Sequence, residues 1–445
     1  APIITIDASD IVGTVNGSGA GGDIFLIGDT VNISGASAFN VSSLAPGENG
    51  GNAGLIDIQA GSVAVTGGSR FELVSAGGGQ AGRMKLEASS ISFTDSAIQA
   101  EARSSGSGGD IILSANNINW DRVRVDASVA GAGEGGFLSL LGGNVALQNS
   151  LVNITAAGVG DGGRFRSVAD DFTAATTAIV SNTSGSGAGG SVAIEAGTIN
   201  LFDGTILTAG STGRGNAGRI TLAADTFNMV GASILTDARG TGDGGAVKID
   251  ASTFSMTQDA AIRSNSFDTG VGGDIKLNAP DMHLSAAIVH ALGFGLGDAG
   301  QISLVATDLV VTDESSINVS AFIGESQGGR ITLEADTIAI DHSDFLSDTA
   351  SAGLGGDIVI TGRLIDLAAG TSLKAQTLGV GNAGSVLLVG DTVNIAGAAL
   401  ITNSKGAGNG GRVAIAATDF LMTDSATIRS DALGTGAGGN VTITA

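Results

Sequence analysis

The chain has 445 residues, 74 of them glycine, and it carries a formal net charge of −23 with no cysteine. The lack of cysteine excludes disulfides and thiolate metal sites. The acidity makes nucleic acid and anionic membrane surfaces poor partners, because their own negative charge is repelled. No stretch approaches the run of about 18 apolar residues that spans a membrane, so we expect no membrane insertion.

A repeat anchored by Gly-Gly or Ala-Gly runs through the whole chain. The second glycine of the pair, here called the anchor, recurs sixteen times from Gly22 to Gly439. Fourteen of the fifteen spacings are 27, 28 or 29 residues, and the first, from Gly22 to Gly54, is 32. A fixed period of this size indicates a solenoid or another repeat array.

Within each repeat, apolar residues alternate with polar or small ones. An apolar residue stands two positions after every anchor, as at Ile24 and Ile111, and another stands four positions after fifteen of the sixteen anchors. Further apolar positions follow nine and about sixteen residues after the anchor. This period of two predicts three short strands per coil, each with one buried face. We therefore predict an all-β fold, a parallel β-helix (β-solenoid) of about 16 coils of 27–28 residues, as a single continuous solenoid over residues 1–445.

Glycine-rich turns close each repeat, and we predict that they supply corners with positive φ. Asn or Asp beside the glycines, as at Asp161 and Asn382, tolerates left-handed backbone next best. Trp120 stands eleven residues after its anchor and is predicted to lie in the core. The residues directly after the anchors form one column, in which two neighbouring pairs of opposite charge are predicted, Arg83 with Asp110 and Arg330 with Asp357.

The two ends of the chain complement each other. Residues 440–445 supply the first strand of a coil and residues 1–22 supply the remainder, together 28 residues. Counting across this join places Ile3 nine residues after the last anchor. We predict that copies assemble head to tail, as a homopolymer, by completing this coil between chains. A slice from a longer repetitive protein has the same pattern, so that alternative stays open. The predicted contact residues are Ile3, Ile4, Ile6, Ile11, Val441 and Ile443.

Groups that could carry chemistry are scattered through the repeats. Each carboxylate pair occurs in a single repeat, and the three histidines lie in different repeats, so we predict no catalytic site, no cofactor and no metal centre. Gly-Gly-Asp recurs in only four repeats, whereas calcium-binding rolls need their motif every nine residues. The acidic surface still allows weak binding of calcium. The residues considered are Asp170, Asp171, Asp313, Glu314, Asp341, Asp344, His283, His290, His342, Asp23, Asp110, Asp274 and Asp357.

Two segments, 214–229 and 380–395, share Gly-Asn-Ala-Gly followed by Arg or Ser and then alternating apolar residues. This repeat resembles that of the large filamentous-haemagglutinin-like exoproteins, and the resemblance covers essentially the whole chain. These are β-helix adhesins that Gram-negative bacteria secrete by the two-partner route. The resemblance implies a right-handed β-helix, a secreted, extracellular or cell-surface location, and adhesion to a host or neighbouring-cell surface.

We therefore expect a structural subunit of an extracellular or cell-surface filament. The alternative is a shaft segment of a giant secreted adhesin. A polysaccharide-active β-helix enzyme is the third interpretation, and it would need an acidic cleft walled by long loops.

Overall fold

The protein, described by a computed structural model, contains two compact units, Ala1–Ala224 and Asp225–Ala445. The structure describes residues 2–350 and 352–445, so Ala1 and Ser351 lie outside it. Short strands pair in parallel with the equivalent strands one coil before and one coil after, which confirms the predicted parallel β-solenoid of about 16 coils. The described residues contain no helix. The prediction that the coils form a single continuous domain stays a prediction.

The first twenty strands in chain order are β1 (Ile3–Asp7), β2 (Asp10–Val12), β3 (Ile24–Ser34), β4 (Ala38–Asn40), β5 (Ser43–Gly47), β6 (Leu55–Val65), β7 (Arg70–Glu72), β8 (Ser75–Gly77), β9 (Arg83–Glu87), β10 (Ser90–Gln99), β11 (Asp110–Asp126), β12 (Phe137–Gln148), β13 (Leu151–Asn153), β14 (Arg164–Ala175), β15 (Ala178–Val180), β16 (Ser191–Phe202), β17 (Ile206–Thr208), β18 (Arg219–Val230), β19 (Ser233–Leu235) and β20 (Ala246–Thr257). The other twenty are β21 (Ala261–Arg263), β22 (Asp274–Asn278), β23 (Asp281–Ser285), β24 (Ile288–His290), β25 (Gln301–Val305), β26 (Asp308–Thr312), β27 (Ser316–Asn318), β28 (Arg330–Glu334), β29 (Thr337–Ile340), β30 (Asp344–Leu346), β31 (Asp357–Thr361), β32 (Leu364–Leu367), β33 (Ser372–Lys374), β34 (Ser385–Val389), β35 (Thr392–Ala396), β36 (Ala399–Ile401), β37 (Arg412–Ala416), β38 (Asp419–Thr423), β39 (Thr427–Arg429) and β40 (Asn440–Thr444).

One coil contains three strand segments. In the second unit they are separate, as in β31, β32 and β33, whereas in the first unit β11 runs through all three without a break. Ile358 pairs with Ile331 in the preceding coil and with Val386 in the following coil. The sequence period is therefore the distance in residues from one rung of the ladder to the next.

Apolar residues at the predicted offsets fill the core of each unit. Ile111 and Leu113, two and four residues after their anchor, are fully buried. Trp120 is buried as predicted, and its ring meets Phe93 edge to face with 6.4 Å between centroids. In the second unit Phe227 stacks on Phe254 at 5.2 Å. Side chains at the same offset therefore stack from coil to coil.

The anchor glycines are needed for a different reason from the one predicted. None of the described anchors has a positive φ. Instead, a Cβ built on Gly163 would lie 2.8 Å from the Ile154 carbonyl oxygen and closer still to that of Gly136, one coil earlier. Backbones of successive coils approach so closely at this corner that any side chain would overlap them.

Left-handed backbone occurs at another corner, between the second and third strands. There φ is 49° at both Asn149 and Thr176 in the first unit, and 44° at His342 in the second. The Asn and Asp residues near the anchors do not adopt it, so that prediction was wrong. Their side chains bridge coils: Asp161 Oδ1 accepts the backbone N–H of Ala188 at 2.7 Å, and Asn382 Oδ1 accepts that of Asn409 at 2.8 Å.

Candidate functional site

The rung at the beginning of the chain consists of β1 and β2. β1 pairs with the second half of β3, so that Ile4 lies under Val31 and Ile6 under Ile33. β2 pairs with β4, which places Ile11 under Phe39. Ile4, Ile6 and Ile11 are half-buried, whereas the side chains above them are fully buried. Three of the predicted contact residues therefore continue the core columns of the first unit and present an apolar face.

The rung at the end of the chain is β40, which pairs with β37. Val441 lies over Val413 and Ile443 lies over Ile415. The exposed fractions are 48% and 44% for the two terminal residues, against 0% and 1% for their neighbours one coil earlier. Both predicted contact residues thus occupy core columns of the second unit, with one side uncovered.

Ile3 does not occupy the inward position that counting across the ends assigned to it. It pairs with Thr30 on the outer face and is 66% exposed. The backbone shows why: Pro2 O accepts the N–H groups of Asp29 and Thr30, as Pro280 O accepts those of two residues in the following coil. Pro2 therefore occupies the position equivalent to Pro280, which lies seven residues after its anchor, Gly273. Ala445 lies six residues after Gly439, so Pro2 is the eighth residue after that anchor when the two ends are joined. The joined coil therefore has one residue more before this position than the coil of Pro280 has.

Sequence reasoning missed part of the last rung. No strand of a further coil pairs with β38 or β39 within the described residues, and Phe420 and Ile428 are half-buried while Met422 is exposed. They continue the columns of Val393, Leu400 and Ile395, all buried. Phe420, Met422 and Ile428 lie nine, eleven and seventeen residues after the anchor Gly411, and these offsets were enough to find them.

A shallow groove follows the residues around the anchors in each unit. In the first unit it passes Asn52, Gln80, Arg83 and Asp110. Its polar groups already bind one another: Asn52 Oδ1 accepts the N–H of Gln80 at 2.8 Å, and Arg83 Nη2 lies 2.8 Å from Asp110 Oδ2, which confirms that predicted pair. The groove therefore holds coils together and offers few free groups to a ligand.

In the second unit the corresponding groove contains Arg330 and Asp357. These residues are register partners, but no ion pair joins them in the part of the chain that the structure describes. Asp357 Oδ1 instead accepts the backbone N–H of Ser385 at 3.2 Å, and Asp23 Oδ1 accepts that of Leu55 at 2.9 Å. Arg330 and Asp357 are therefore neighbours of opposite charge in the column, as predicted, but the carboxylate turns towards the next coil.

The titratable residues considered for chemistry form at most pairs in the part of the chain that the structure describes. Burial, and then the charge of Arg263, lower the pKa of His290 to about 4, and its Nε2 lies 3.1 Å from Ser316 Oγ. His342 Nδ1 lies 2.7 Å from Asp341 Oδ1. Hydrogen bonds, first from Ser285 and then from Thr312, lower the pKa of Asp313. Over residues 2–350 and 352–445, no group of three or more His, Asp or Glu side chains is arranged to hold a metal ion.

No family model matches this chain, and neither a curated protein nor a solved structure matches it. None of the described residues forms a helix long and apolar enough to cross a membrane. The class that the fold defines is a parallel β-solenoid built from a 27–29-residue repeat.

Proposed function

We propose that this chain is a structural subunit of an extracellular or cell-surface filament and that it performs no catalysis. Its fold suits that role, since solenoid coils stack by backbone pairing and a continuous apolar core. The extracellular location rests on the resemblance of the repeat to secreted adhesins. Binding of a host or neighbouring-cell surface, and weak binding of calcium, rest on the same resemblance and on the acidity.

The uncovered core columns of the two terminal rungs are the observation that carries the proposal. Val441 and Ile443 are nearly half exposed, although side chains in the same columns one coil earlier are buried. Covering each of them contributes about 1 kcal/mol. In the proposed joint, β40 of one copy and β1 with β2 of the next complete one coil. The contact is heterologous and does not close, so repeating it produces a filament.

In the proposed joint, Ile4 and Ile6 stack over the strand that holds Phe420. Backbone pairing at such an edge is the mode by which strands add to sheets.

The alternative is that the chain is a shaft segment of a giant secreted adhesin. The columns of the terminal rungs would then be covered by further coils of the same polypeptide. A polysaccharide-active enzyme is the third candidate, and it predicts cleavage of uronic polymers by the purified chain.

Electron microscopy of the native material, with its intact mass under denaturing conditions, tests the proposal. We expect long uniform fibres that dissolve to a chain of 43.2 kDa. Fibres that dissolve to a much larger chain would establish the adhesin shaft instead.

A pair of variants tests the joint itself. Val441→Asp places a charge in the core column and is expected to abolish fibres. Thr444→Asp, on the same strand but on its outer face, is the matched control and is expected to leave them intact. Fibres that form equally well from both variants would contradict assembly through this rung.

A further inference from the structure

An exposed apolar stripe lies along the glycine-rich corner of the second unit. Most residues of the stripe come directly after positions that form β-bridges from one coil to the next, such as Ser266 with Gly293. Their backbones therefore stack one coil apart. For example, Phe294 N donates to Ser266 O at 2.8 Å and Leu378 N donates to Thr349 O at 2.8 Å. Leu296 and Val380, two positions further along their coils, are 61% and 62% exposed. The apolar stripe is Phe267, Phe294, Leu296, Phe322, Leu378 and Val380.

The coil itself does not need these side chains. In the first unit the same corner has the same backbone ladder, with Ala130 N donating to Ala102 O at 3.0 Å and Ala157 N to Val129 O at 2.8 Å. Alanine suffices at these two positions. Contiguous apolar groups on a protein surface mark interaction sites, so the stripe calls for a partner.

The stacking of the rings argues against a carbohydrate partner. Phe267, Phe294 and Phe322 lie face to face, with centroids 4.8 and 5.2 Å apart and interplanar angles of 17° and 11°. Each ring therefore covers the face of its neighbour and presents mainly its edge to solvent. The net charge of −23 disfavours anionic membranes and nucleic acids.

The distribution of charge points to a second copy of this chain. Exposed Asp268 lies on the coil of Phe267, near one end of the stripe, and exposed Lys405 lies one coil beyond Leu378 at the other end. When a second stripe runs antiparallel, with the coil of Asp268 opposite that of Lys405, both ends form pairs of opposite charge.

The same register matches the apolar residues. The coil of Phe294 and Leu296 then faces the coil of Leu378 and Val380, twice over by symmetry. Phe322 faces Ala350, the small residue of the column. Equal spacing of about 4.8 Å per coil keeps the two stripes in step. A two-fold contact of this kind is self-complementary and closes as a dimer.

We propose that the apolar stripe pairs two copies of the second unit side by side and antiparallel, with Asp268 of each copy facing Lys405 of the other. This lateral contact is distinct from the proposed joint between terminal rungs, because neither residue lies on a terminal rung. It would join filaments, or single chains, in pairs of opposite direction.

Cross-linking of cysteine variants tests the register, since the chain has no cysteine of its own. Asp268→Cys and Lys405→Cys are prepared separately, and each is treated with a short bis-maleimide alone and after mixing. We expect a cross-linked dimer only in the mixture. A dimer from Asp268→Cys alone would mean parallel pairing and overturn the proposal, as would the absence of cross-linking in every sample. Arg103→Cys mixed with Thr212→Cys, in the corner of the first unit, is the matched control and is expected to stay uncross-linked.

Sedimentation of the full chain tests the energetics. Replacing Phe294 and Leu378 by Ala is expected to raise the dissociation constant of the pair at least about tenfold. Val159→Ala, at an exposed apolar residue two positions after Ala157 in the first unit, is expected to leave it unchanged. Lys405→Asp should weaken pairing, and adding Asp268→Lys should restore it. Failure of this restoration would mean that another partner or another register is used. A chain that carries only Val441→Asp, which blocks the joint, and that stays monomeric would also overturn the proposal.

Discussion

The glycine-rich corner has the same backbone arrangement in both units, but its exposed side chains differ. In the first unit its column includes Ala130, Ala157 and Ser184, and in the second it includes Phe267, Phe294 and Phe322. The inter-coil hydrogen bonds of these six residues are alike, from 2.8 to 3.0 Å. The difference teaches that glycine and the backbone build this corner. The outward side chains at this corner are free to vary, so they can determine which partner binds there.

The largest effect is expected at the anchor glycines, which both units share. Gly163→Ala in the first unit and Gly329→Ala in the second should each lower the free energy of unfolding by about 3–4 kcal/mol. The reason is overlap with the preceding coil: a Cβ on Gly329 would lie 2.9 Å from Val319 Cβ and closer still to Gly300 O. Denaturant unfolding followed by circular dichroism measures the change.

Two other glycines provide the controls for that experiment. A Cβ on Gly17 would meet nothing within 4 Å, and one on Gly438 only the Ser430 carbonyl oxygen at 3.8 Å. Their replacement by Ala should change stability by less than about 0.5 kcal/mol. If replacing the anchor by Ala in one unit changed stability as little as these controls, close approach of successive coils would not explain the anchor glycine in that unit.

A smaller effect is expected from Asp348, because burial raises its pKa to about 6. Its Oδ1 accepts the N–H of Gln376 at 2.8 Å, and an Asn serves the same column elsewhere: Asn403 Oδ1 accepts the N–H of Asp431 at 2.8 Å. In the first unit Asn182 Oδ1 accepts the N–H of Gly210 at 2.6 Å. A neutral amide makes this inter-coil bond without the cost of a buried charge.

The pH dependence follows from that raised pKa. The folded chain holds a proton on Asp348 up to about pH 6, whereas the unfolded chain loses it near 3.8. The contribution of Asp348 to the free energy of unfolding should therefore fall as pH rises from about 4 to about 6 and stay at the lower level above, whereas the lowered pKa of His290 acts in the opposite direction over this range. Asp348→Asn should remove the Asp348 contribution, so that the stability of the variant relative to the wild type rises between about pH 4 and pH 6 and is higher by about 1–3 kcal/mol at pH 7. Thermal unfolding across this range measures it, and a variant that keeps the wild-type slope would contradict the assignment.

The smallest effect is expected from the outward side chains of the corner. Phe294→Ala should cost about 1 kcal/mol, because it removes two ring contacts with Phe267 and Phe322. Ala157→Ser, in the same column of the first unit, should change stability by less than about 0.5 kcal/mol. Denaturant unfolding of dilute monomer compares them. A loss of about 3–5 kcal/mol for Phe294→Ala, as in a core substitution, would show that the second unit needs its stripe to fold.

Much of the fold was predictable from the sequence, because strand alternation is local. The residues two, four and nine positions after the anchor, as at Ile111, Leu113 and Ile118, are buried as the period of two requires. Part of the candidate site was predictable for the same reason, since Val441 and Ile443 continue those offsets. Ile3 was misplaced because counting residues across two ends does not reveal which of them form the corner.

What the sequence determined by itself was the period, the strand-type alternation and the inward position of each core residue, all of which depend on neighbours a few positions apart. The tertiary structure alone decided why the anchors are glycine, which corner turns left-handed, and which apolar residues line up outside. Those properties arise between residues about 28 positions apart in the chain and one coil apart in space. Neither the close approach of backbones nor the alignment of Phe267, Phe294 and Phe322 exists until the coils have stacked.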